Sequence, residues 1–419
     1  MLKADVRNRA AGARSFTFIG DPGCDGLGAE IMSIFHLALS NAAGDFILIG
    51  GDIVPNGAKH FYENVTEMAR GATGKPVYML RGNHDTDDYE RYFGEKDYFI
   101  CSDNLLLIVL DNSKRAFSEN SLNLLELTLK ENLRDSVVIA FHIPPPNSVI
   151  RNSVSREEWE KALKIIAPYR GQIKYILCGH IHSYFEDVVD GMKLIASGGG
   201  GARIEEVDGV ETPHNHWVEF YFDGDGELRH ERKDVSLKDL ERRVMSAEVK
   251  NALSEAFANE CGAHMLYRLY AEEAARQGLD GVAGLFRAAA DAEYYHARNH
   301  YYVMGAIGDT RDSVAMSMER EHHEAAKFYS DCIELAKAKR DGLAQYAFQD
   351  AAAAERVHES LLADALKALD EHRDIPAREY YSCTSCGYTF SGPDKPKLCP
   401  VCGAPDDKIN RIGDCLYNA

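Results

Sequence analysis

From about residue 15 to 235 the chain alternates short, nearly unbroken apolar runs with stretches of helical spacing. SFTFIG, FILIG, VYML, LLLIVL, VVIAF, IKYILC and MKLIAS are each bounded by Gly, Asp, Asn or Pro, and read as buried strands. Segments near 27–40, 57–71, 121–133 and 155–167 carry apolar residues three and four apart, as helices do. Such alternation predicts a layered α/β architecture. A polar run from Lys233 to Arg243 ends this region. The chain then becomes rich in Ala, Glu, Tyr and His and is free of Pro until Pro376. Turn signals at Gly278–Gly281, Gly305–Asp309 and Arg340–Gly342 divide it into four long helices, the pattern of a four-helix bundle. The remaining Gly/Pro/Cys segment is too small to bury a core and needs a staple. The expected domains are residues 1–235, 246–372 and 378–419.

Composition sharpens this outline. The 419 residues carry a formal charge of −19. An acidic surface disfavours a sequence-independent grip on nucleic acid or an anionic membrane. No apolar run reaches the roughly 18 residues needed to cross a bilayer, and the N-terminal stretch lacks the apolar region of a secretory signal. Four of the ten cysteines (Cys383, Cys386, Cys399, Cys402) lie in one C-terminal block, while Cys24, Cys101, Cys178, Cys261, Cys332 and Cys415 are scattered. That distribution points to a metal site, not a disulfide framework, and to a reducing cytoplasm.

In the first domain, polar residues stand directly after the apolar runs. Asp21 follows SFTFIG, Asp52 follows FILIG, Asn83 and His84 follow VYML, His142 follows VVIAF, and His180 and His182 follow IKYILC. Ligands of α/β sheets gather at the carboxyl ends of strands, so these groups can converge on one rim. Two carboxylates, an amide oxygen and imidazoles suit one or two divalent ions of Mn, Fe or Zn. A metal pair can clamp a phosphoryl group and supply a hydroxide nucleophile near neutral pH.

The motifs Gly20-Asp21, Gly51-Asp52, Gly82-Asn83-His84-Asp85, strand-end His142 and Gly179-His180-Ile181-His182 resemble, in order, those of calcineurin-like metallophosphoesterases. The resemblance implies an α/β sandwich and hydrolysis of a phosphate ester. It implies that Asp52 bridges two metals, that Asn83, His142 and His180 hold one, and that Asp21 and His182 hold the other. It also implies that His84 touches the phosphate and protonates the leaving oxygen, oriented by Asp85. One departure stands out. The family's first motif reads D-x-H, whereas this chain has Asp21-Pro22-Gly23. A purple acid phosphatase branch replaces that histidine by a tyrosine three residues past the second aspartate; here that position is Pro55. The first metal is left under-ligated unless Asn56, Cys24, Asp25 or water completes it. The run Gly198–Gly201 precedes no clear helix and reads as a turn near the site.

The helical region repeats one spacing. Glu293/His296, Glu321/Glu324 and Glu355/His358 are each three residues apart, on one helical face, and the first helix offers Glu260. A single Glu-x-x-His is ordinarily a solvated face. Four helices supplying a Glu, a Glu-x-x-His, a Glu and a Glu-x-x-His match the ligand requirement of ferritin-like di-iron bundles. Burying seven such groups without a cation would cost several kcal/mol for each unpaired charge. With Glu324 as an extra carboxylate, this region resembles rubrerythrin, a non-haem di-iron peroxidase. The resemblance implies two iron ions with Glu293 and Glu355 bridging. Glu260 would be terminal on one iron, and Glu321 and His358 on the other. Glu324 and His296 would be alternative ligands of the iron that moves with redox state. His300, His322 and His323 are not motif positions.

Cys383-x2-Cys386 and Cys399-x2-Cys402, twelve residues apart, can close a tetrahedral site whose metal supplies folding energy. The spacing alone fits zinc or iron. CGY followed by CPVCGAP resembles rubredoxin, which implies a tetrathiolate iron serving as an electron relay. Cys415 lies outside the pattern.

The segment lengths bear on assembly. Helices two and three of a ferritin-like bundle run parallel, so the connection between them must travel back along the bundle. With helix two ending near Met304 and helix three beginning near Arg311, the gap is on the order of 27 Å. Half a dozen residues span roughly 20–25 Å at most. The expectation is a homodimer that exchanges helix pairs and shares each di-iron site. The leading functional expectation is a bifunctional enzyme. One half reduces hydrogen peroxide with electrons from an external reductase, and the other hydrolyses a phosphate ester. A redox-sensing regulator and an iron-storage protein are the alternatives.

Overall fold

The computed structural model describes residues 12–86, 88–211 and 214–412. The chain forms two compact units, residues 1–306 and 307–419. Cys415 lies outside the described residues.

The first unit opens with β1 (Ser15–Ile19), α1 (Ala29–Asn41), β2 (Phe46–Ile49), α2 (Lys59–Ala72), β3 (Val77–Met79) and the short α3 (Tyr89–Phe93). Next come β4 (Tyr98–Cys101), β5 (Leu105–Val109), α4 (Glu119–Asn132), β6 (Ser136–Ala140), α5 (Arg156–Ile166) and β7 (Ile173–Cys178). The strands β8 (Tyr184–Val189), β9 (Met192–Ser197), β10 (His216–Phe222) and β11 (Leu228–Asp234) complete two sheets. Their orders are β11-β10-β1-β2-β3 and β4-β5-β6-β7-β9-β8. Strands β1, β2 and β3 are parallel, as are β5, β6, β7 and β9.

Alternation within the apolar runs explains the layering. Phe16, Phe18, Phe46 and Leu48 join Leu105, Leu107, Val138 and Leu177 in a core between the sheets. The intervening Ile47 and Ile49 meet Phe35, Leu39 and Tyr62 from α1 and α2. On the other side Leu106, Ile108 and Ile139 meet Leu125 and Trp159 from α4 and α5. Each central strand is therefore buried on both faces, which is why its sequence is continuously apolar. The result is an α/β sandwich with helices outside and two sheets inside.

The same unit continues into α6 (Ala247–Arg276) and α7 (Asp280–Val303), an antiparallel hairpin that packs through α7 on α1. The pair buries only Ala271 and Ala274 on α6 and Ala283, Ala290 and Ala297 on α7. Leu266, Leu269 and Leu285 are exposed.

The second unit begins with one long helical path. It runs through α8 (Thr310–His323), a π-helical turn at Glu324–Phe328, and α9 (Tyr329–Lys339). Arg340 at φ +58 ends it, and α10 (Gly342–Asp370) packs back against both segments. The strands β12 (Tyr380–Cys383), β13 (Thr389–Ser391) and β14 (Ile409–Arg411) then form a small sheet in the order β13-β12-β14. Among the described residues, no helix is long and apolar enough to cross a membrane.

Candidate metal centres

Strand ends bring the first set of groups together. Asp21, Asp52 and His180 leave β1, β2 and β7 with φ values of +52, +49 and +71, so each strand turns sharply where it presents its side chain. Non-glycine residues held there are strained, and such strain clusters at functional sites. Asp21 and Asp52 are buried, and Asp52 Oδ2 lies 3.2 Å from His142 Nε2. His142 is fully buried. Its Nδ1 donates to Gly50 O at 2.9 Å, which turns Nε2 toward both aspartates. That Nε2 has no hydrogen-bond partner, although a buried imidazole nitrogen ordinarily has one. Asp52, His142 and His180 offer ligand atoms within 4.8 Å of one another, a donor set that fits a divalent cation.

The charges are strongly coupled. Burial works against a charged His142, but Asp52 and Asp21 outweigh it and lift the imidazole to about 10. Burial and the neighbouring His142 hold His180 down at about 3. Burial raises Asp21 well above the ordinary carboxylate range. A cation between these residues would satisfy the carboxylates and the free imidazole nitrogen together.

A second group forms beside the first. His182 Nε2 lies 3.8 Å from Asp21 Oδ1 and 3.1 Å from Cys24 Sγ, while its Nδ1 faces Glu205 at 3.5 Å. Asn83 and His84 lie exposed on the loop after β3. The His84 amide donates to Asp52 Oδ1 at 2.8 Å, and its ring Nδ1 contacts the Pro55 carbonyl at 3.1 Å. The orienting partner of His84 is therefore Pro55, where the sequence reading gave that role to Asp85. Asp85 instead receives the amides of Ile53, Val54 and Gly82, joining the loops that carry Asp52 and Asn83. Arg115 is a cationic neighbour that sequence reasoning missed, its Nη2 3.4 Å from His180 Nε2. No motif marks it, because a turn far from the other ligands delivers it.

The glycine run backs this site. Gly200 donates to Gly20 O at 2.7 Å and Ala202 to Asp21 O at 3.0 Å. A Cβ on Gly198 would stand 2.2 Å from Ile181 O, so only glycine permits the approach.

The helices carry two further clusters, one in each unit. In the first unit Glu260, Glu293 and His296 converge, with His296 Nδ1 2.9 Å from Glu293 Oε2. In the second unit Glu321, Glu355 and His358 converge. His358 Nδ1 lies 2.8 Å from Glu355 Oε2 and 3.8 Å from Glu321 Oε2. Burial and a hydrogen bond with Glu355 push Glu321 up to about 7, and its buried Oε2 has no hydrogen-bond partner. Paired acids with an orphaned oxygen fit a cation. Glu324 stands apart from this trio and pairs with Arg320 at 2.9 Å. The opposite nitrogen of His358 meets Thr389 Oγ1 on β13 at 2.8 Å, a contact between helix and small sheet that carries no sequence signal.

Cys383, Cys386, Cys399 and Cys402 form the last cluster. The Cys383–Cys402 and Cys386–Cys399 sulfurs are 3.7 and 3.5 Å apart. That is far beyond a disulfide bond, but close to the edge of about 3.8 Å of a tetrahedron with metal–sulfur bonds of about 2.3 Å. Two matching knuckles set the spacing, with Gly387 N–H donating to Cys383 O and Gly403 N–H to Cys399 O. Burial alone would raise Cys383, but the amides of Ser385 and Cys386 outweigh it and bring the thiol to about 7.

Comparison with known proteins follows the same three-part division. The calcineurin-like phosphoesterase family model matches residues 14–184, the rubrerythrin model 251–366, and the rubredoxin-like domain of rubrerythrin 381–410. Rubrerythrin-2 of Clostridium acetobutylicum is 31% identical over 180 residues, covering 40% of this chain and 97% of that protein. Nigerythrin of Nitratidesulfovibrio vulgaris is 31% identical over 172 residues, covering 37% of this chain and 82% of its own. A probable glycerophosphodiester phosphodiesterase, GpdQ, of Arcobacter nitrofigilis is 26% identical over 170 residues, covering 36% of this chain and 60% of its own. This chain spans less than two thirds of that protein's length. A di-iron site, a four-cysteine site and a divalent-metal phosphoesterase site accompany these domains. With a relative matched over almost its whole length, the chain belongs to the rubrerythrin family and carries a calcineurin-like phosphoesterase domain ahead of it.

Proposed function

We propose that the protein is a bifunctional enzyme. One part reduces hydrogen peroxide to water at a di-iron centre, with electrons from an external reductase relayed through tetrathiolate iron. The other is a metal-dependent hydrolase of a phosphate ester. The observation that carries the peroxidase reading is the gathering of Glu260, Glu293 and His296 on one helix pair and of Glu321, Glu355 and His358 on the other. In this reading Glu293 and Glu355 would be shared between the two irons, Glu260, Glu321 and His358 would each hold one, and His296 and Glu324 would be alternative ligands. Iron supplies the two-electron redox chemistry. The chain's part is to fix the ligands: Thr389 holds His358 by the nitrogen that faces away from Glu355. The modules are residues 1–235, 246–372 and 378–419, and reduced cysteines suit the cytoplasm.

In the hydrolase, Asn83, His142 and His180 would hold one cation and Asp21 and His182 the other, with Asp52 shared between them. The Pro55 carbonyl can only accept, so His84 Nδ1 carries a proton, and delivery of a proton from Nε2 to the leaving oxygen would use the doubly protonated ring. Arg115 supplies positive charge beside His180, suited to an anionic substrate.

The chain acts as a homodimer that exchanges helix pairs. In a closed bundle, α7 would rise about 15 Å past Glu293 to Val303, and α8 would start about 17 Å below Glu321 at Thr310. The linker between them would have to bridge roughly 30 Å, whereas its seven steps reach roughly 25 Å. Leu285, Met316 and Leu335 are 68%, 70% and 60% exposed, so both helix pairs still have apolar surface to cover.

The test is anaerobic iron loading of the full chain, followed by peroxide consumption and hydrolysis of bis(p-nitrophenyl) phosphate. Glu355→Ala is expected to abolish the first activity and leave the second. Asp52→Asn is expected to lower the second by at least about 100-fold and leave the first. Loss of both activities in either variant, with folding intact, would overturn the division of labour.

A further inference from the structure

The missing first-motif histidine is not a simple loss. A Cβ on Gly23 would lie 2.0 Å from the Ile53 carbonyl oxygen, so position 23 has no room for an imidazole or any other side chain. The Gly23 amide instead donates to Asp52 O at 3.0 Å, drawing the first metal loop onto the second. The next side chain then falls where the ligand is needed. Cys24 is buried, and its Sγ stands 3.1 Å from His182 Nε2. Glu205, on the other side of that ring, aims Nε2 at Cys24 and at Asp21 Oδ1 together. His142 Nε2, fully buried, faces Asp52 Oδ2 at 3.2 Å and Asp21 Oδ1 at 3.9 Å from the side of the other cation. Of the other two side chains at the gap, Asp25 is exposed and accepts the Arg203 amide at 2.7 Å, but it also offers a carboxylate oxygen within 4.8 Å of Cys24 and His182 and can join them. Asn56 is exposed and accepts the Ala58 amide at 3.0 Å.

We propose that Cys24 is the missing protein ligand of the phosphoesterase site, so that one cation is held by Asp21, Cys24 and His182 with Asp52 bridging to the second. Binding forms an Sγ–metal bond and releases the thiol proton to solvent, with no change of oxidation state. A thiolate among these ligands shifts the site's preference to zinc or iron over magnesium and manganese. The proposal concerns a metal ligand and rests on the phosphoesterase reading only for what the metal does.

The test uses the full chain, stripped of metal and reloaded with zinc or cobalt(II), in wild type, Cys24→Ala and Cys24→His. Elemental analysis counts metal per chain. The wild-type-minus-variant cobalt spectrum isolates the thiolate charge-transfer band of this site, since the four-cysteine site contributes equally to both. Cys24→Ala is expected to lose about one metal equivalent and that band. Cys24→His is expected to keep the equivalent without the band, and it serves as the folded comparator if the alanine variant is unstable. Unchanged metal content and an unchanged spectrum in both variants would overturn the proposal. A fully loaded wild type with the thiolate band but no hydrolysis of bis(p-nitrophenyl) phosphate would support the ligand and overturn the phosphoesterase reading.

Discussion

Asp190 shows how one carboxylate couples a turn to a helix. It occupies the β8–β9 hairpin at φ +47, accepts hydrogen bonds from Nη1 and Nη2 of Arg156 at 3.0 and 3.1 Å, and takes the Trp159 indole N–H at 2.7 Å. The Arg156 hydrogen bonds outweigh partial burial and hold its pKa below 3.8. Its stabilising contribution is therefore present above that ordinary value and vanishes as pH falls through the depressed one. Asp190→Asn, which keeps the turn, should lower the unfolding midpoint near pH 7, followed by Trp159 fluorescence, and the difference from wild type should shrink as pH falls below 3.8. Thr389→Val removes the hydroxyl that holds His358; iron affinity or peroxide turnover should fall about 10–100-fold while hydrolysis is unchanged. Residues of this kind were not legible in the sequence. Asp21, Asp52, His142 and His180 could be found because strand ends announce them. Pro55, Arg115 and Thr389 act through partners 29 or more residues away that only folding brings near, and Cys24 was one candidate among several until the fold set it beside His182.

At the scale of elements, patterning was legible where packing is two-sided. The apolar runs of β1, β2, β5, β6, β7 and β9 mark central strands, and the turns at Gly278, Gly305 and Arg340 mark the helix ends. Edge strands vary: β3 is marked by VYML, but two others are not. β11 reads LRHERKD, mostly polar because one face meets solvent, and β8 reads YFEDVV; neither carries an apolar run. The π-helical turn at Glu324–Phe328 was likewise invisible, since a single extra residue leaves the helical spacing almost intact. It separates Glu321 from the following α9. Deleting the exposed Ala326 should restore regular winding and rotate the helix before it by about 100° relative to α9. The expected result is unchanged far-UV circular dichroism with loss of iron from the di-iron centre.

The whole molecule is divided at an unexpected place. Its compact units meet at residues 306 and 307, inside the region matched as rubrerythrin, so each unit carries one helix pair and one trio of ligands. The sequence reading takes residues 246–372 as one domain; only the shortness of the Gly305–Asp309 connection, a length and not a motif, bears on this division. Inserting about ten flexible residues there should allow one chain to close its own bundle. Light scattering should then report a monomer that retains iron, where wild type gives a dimer; a monomeric wild type with two irons would refute helix exchange.

The six-residue connection also sets the two chemistries against concentration. With helix pairs exchanged as proposed, each copy would carry its own ester-cleaving pocket, but the peroxide-consuming one would form only where two copies meet. On dilution the first activity should fall in proportion to protein and the second roughly with its square once pairs separate. Expression level, through mass action alone, would then decide whether the cell holds one enzyme or two.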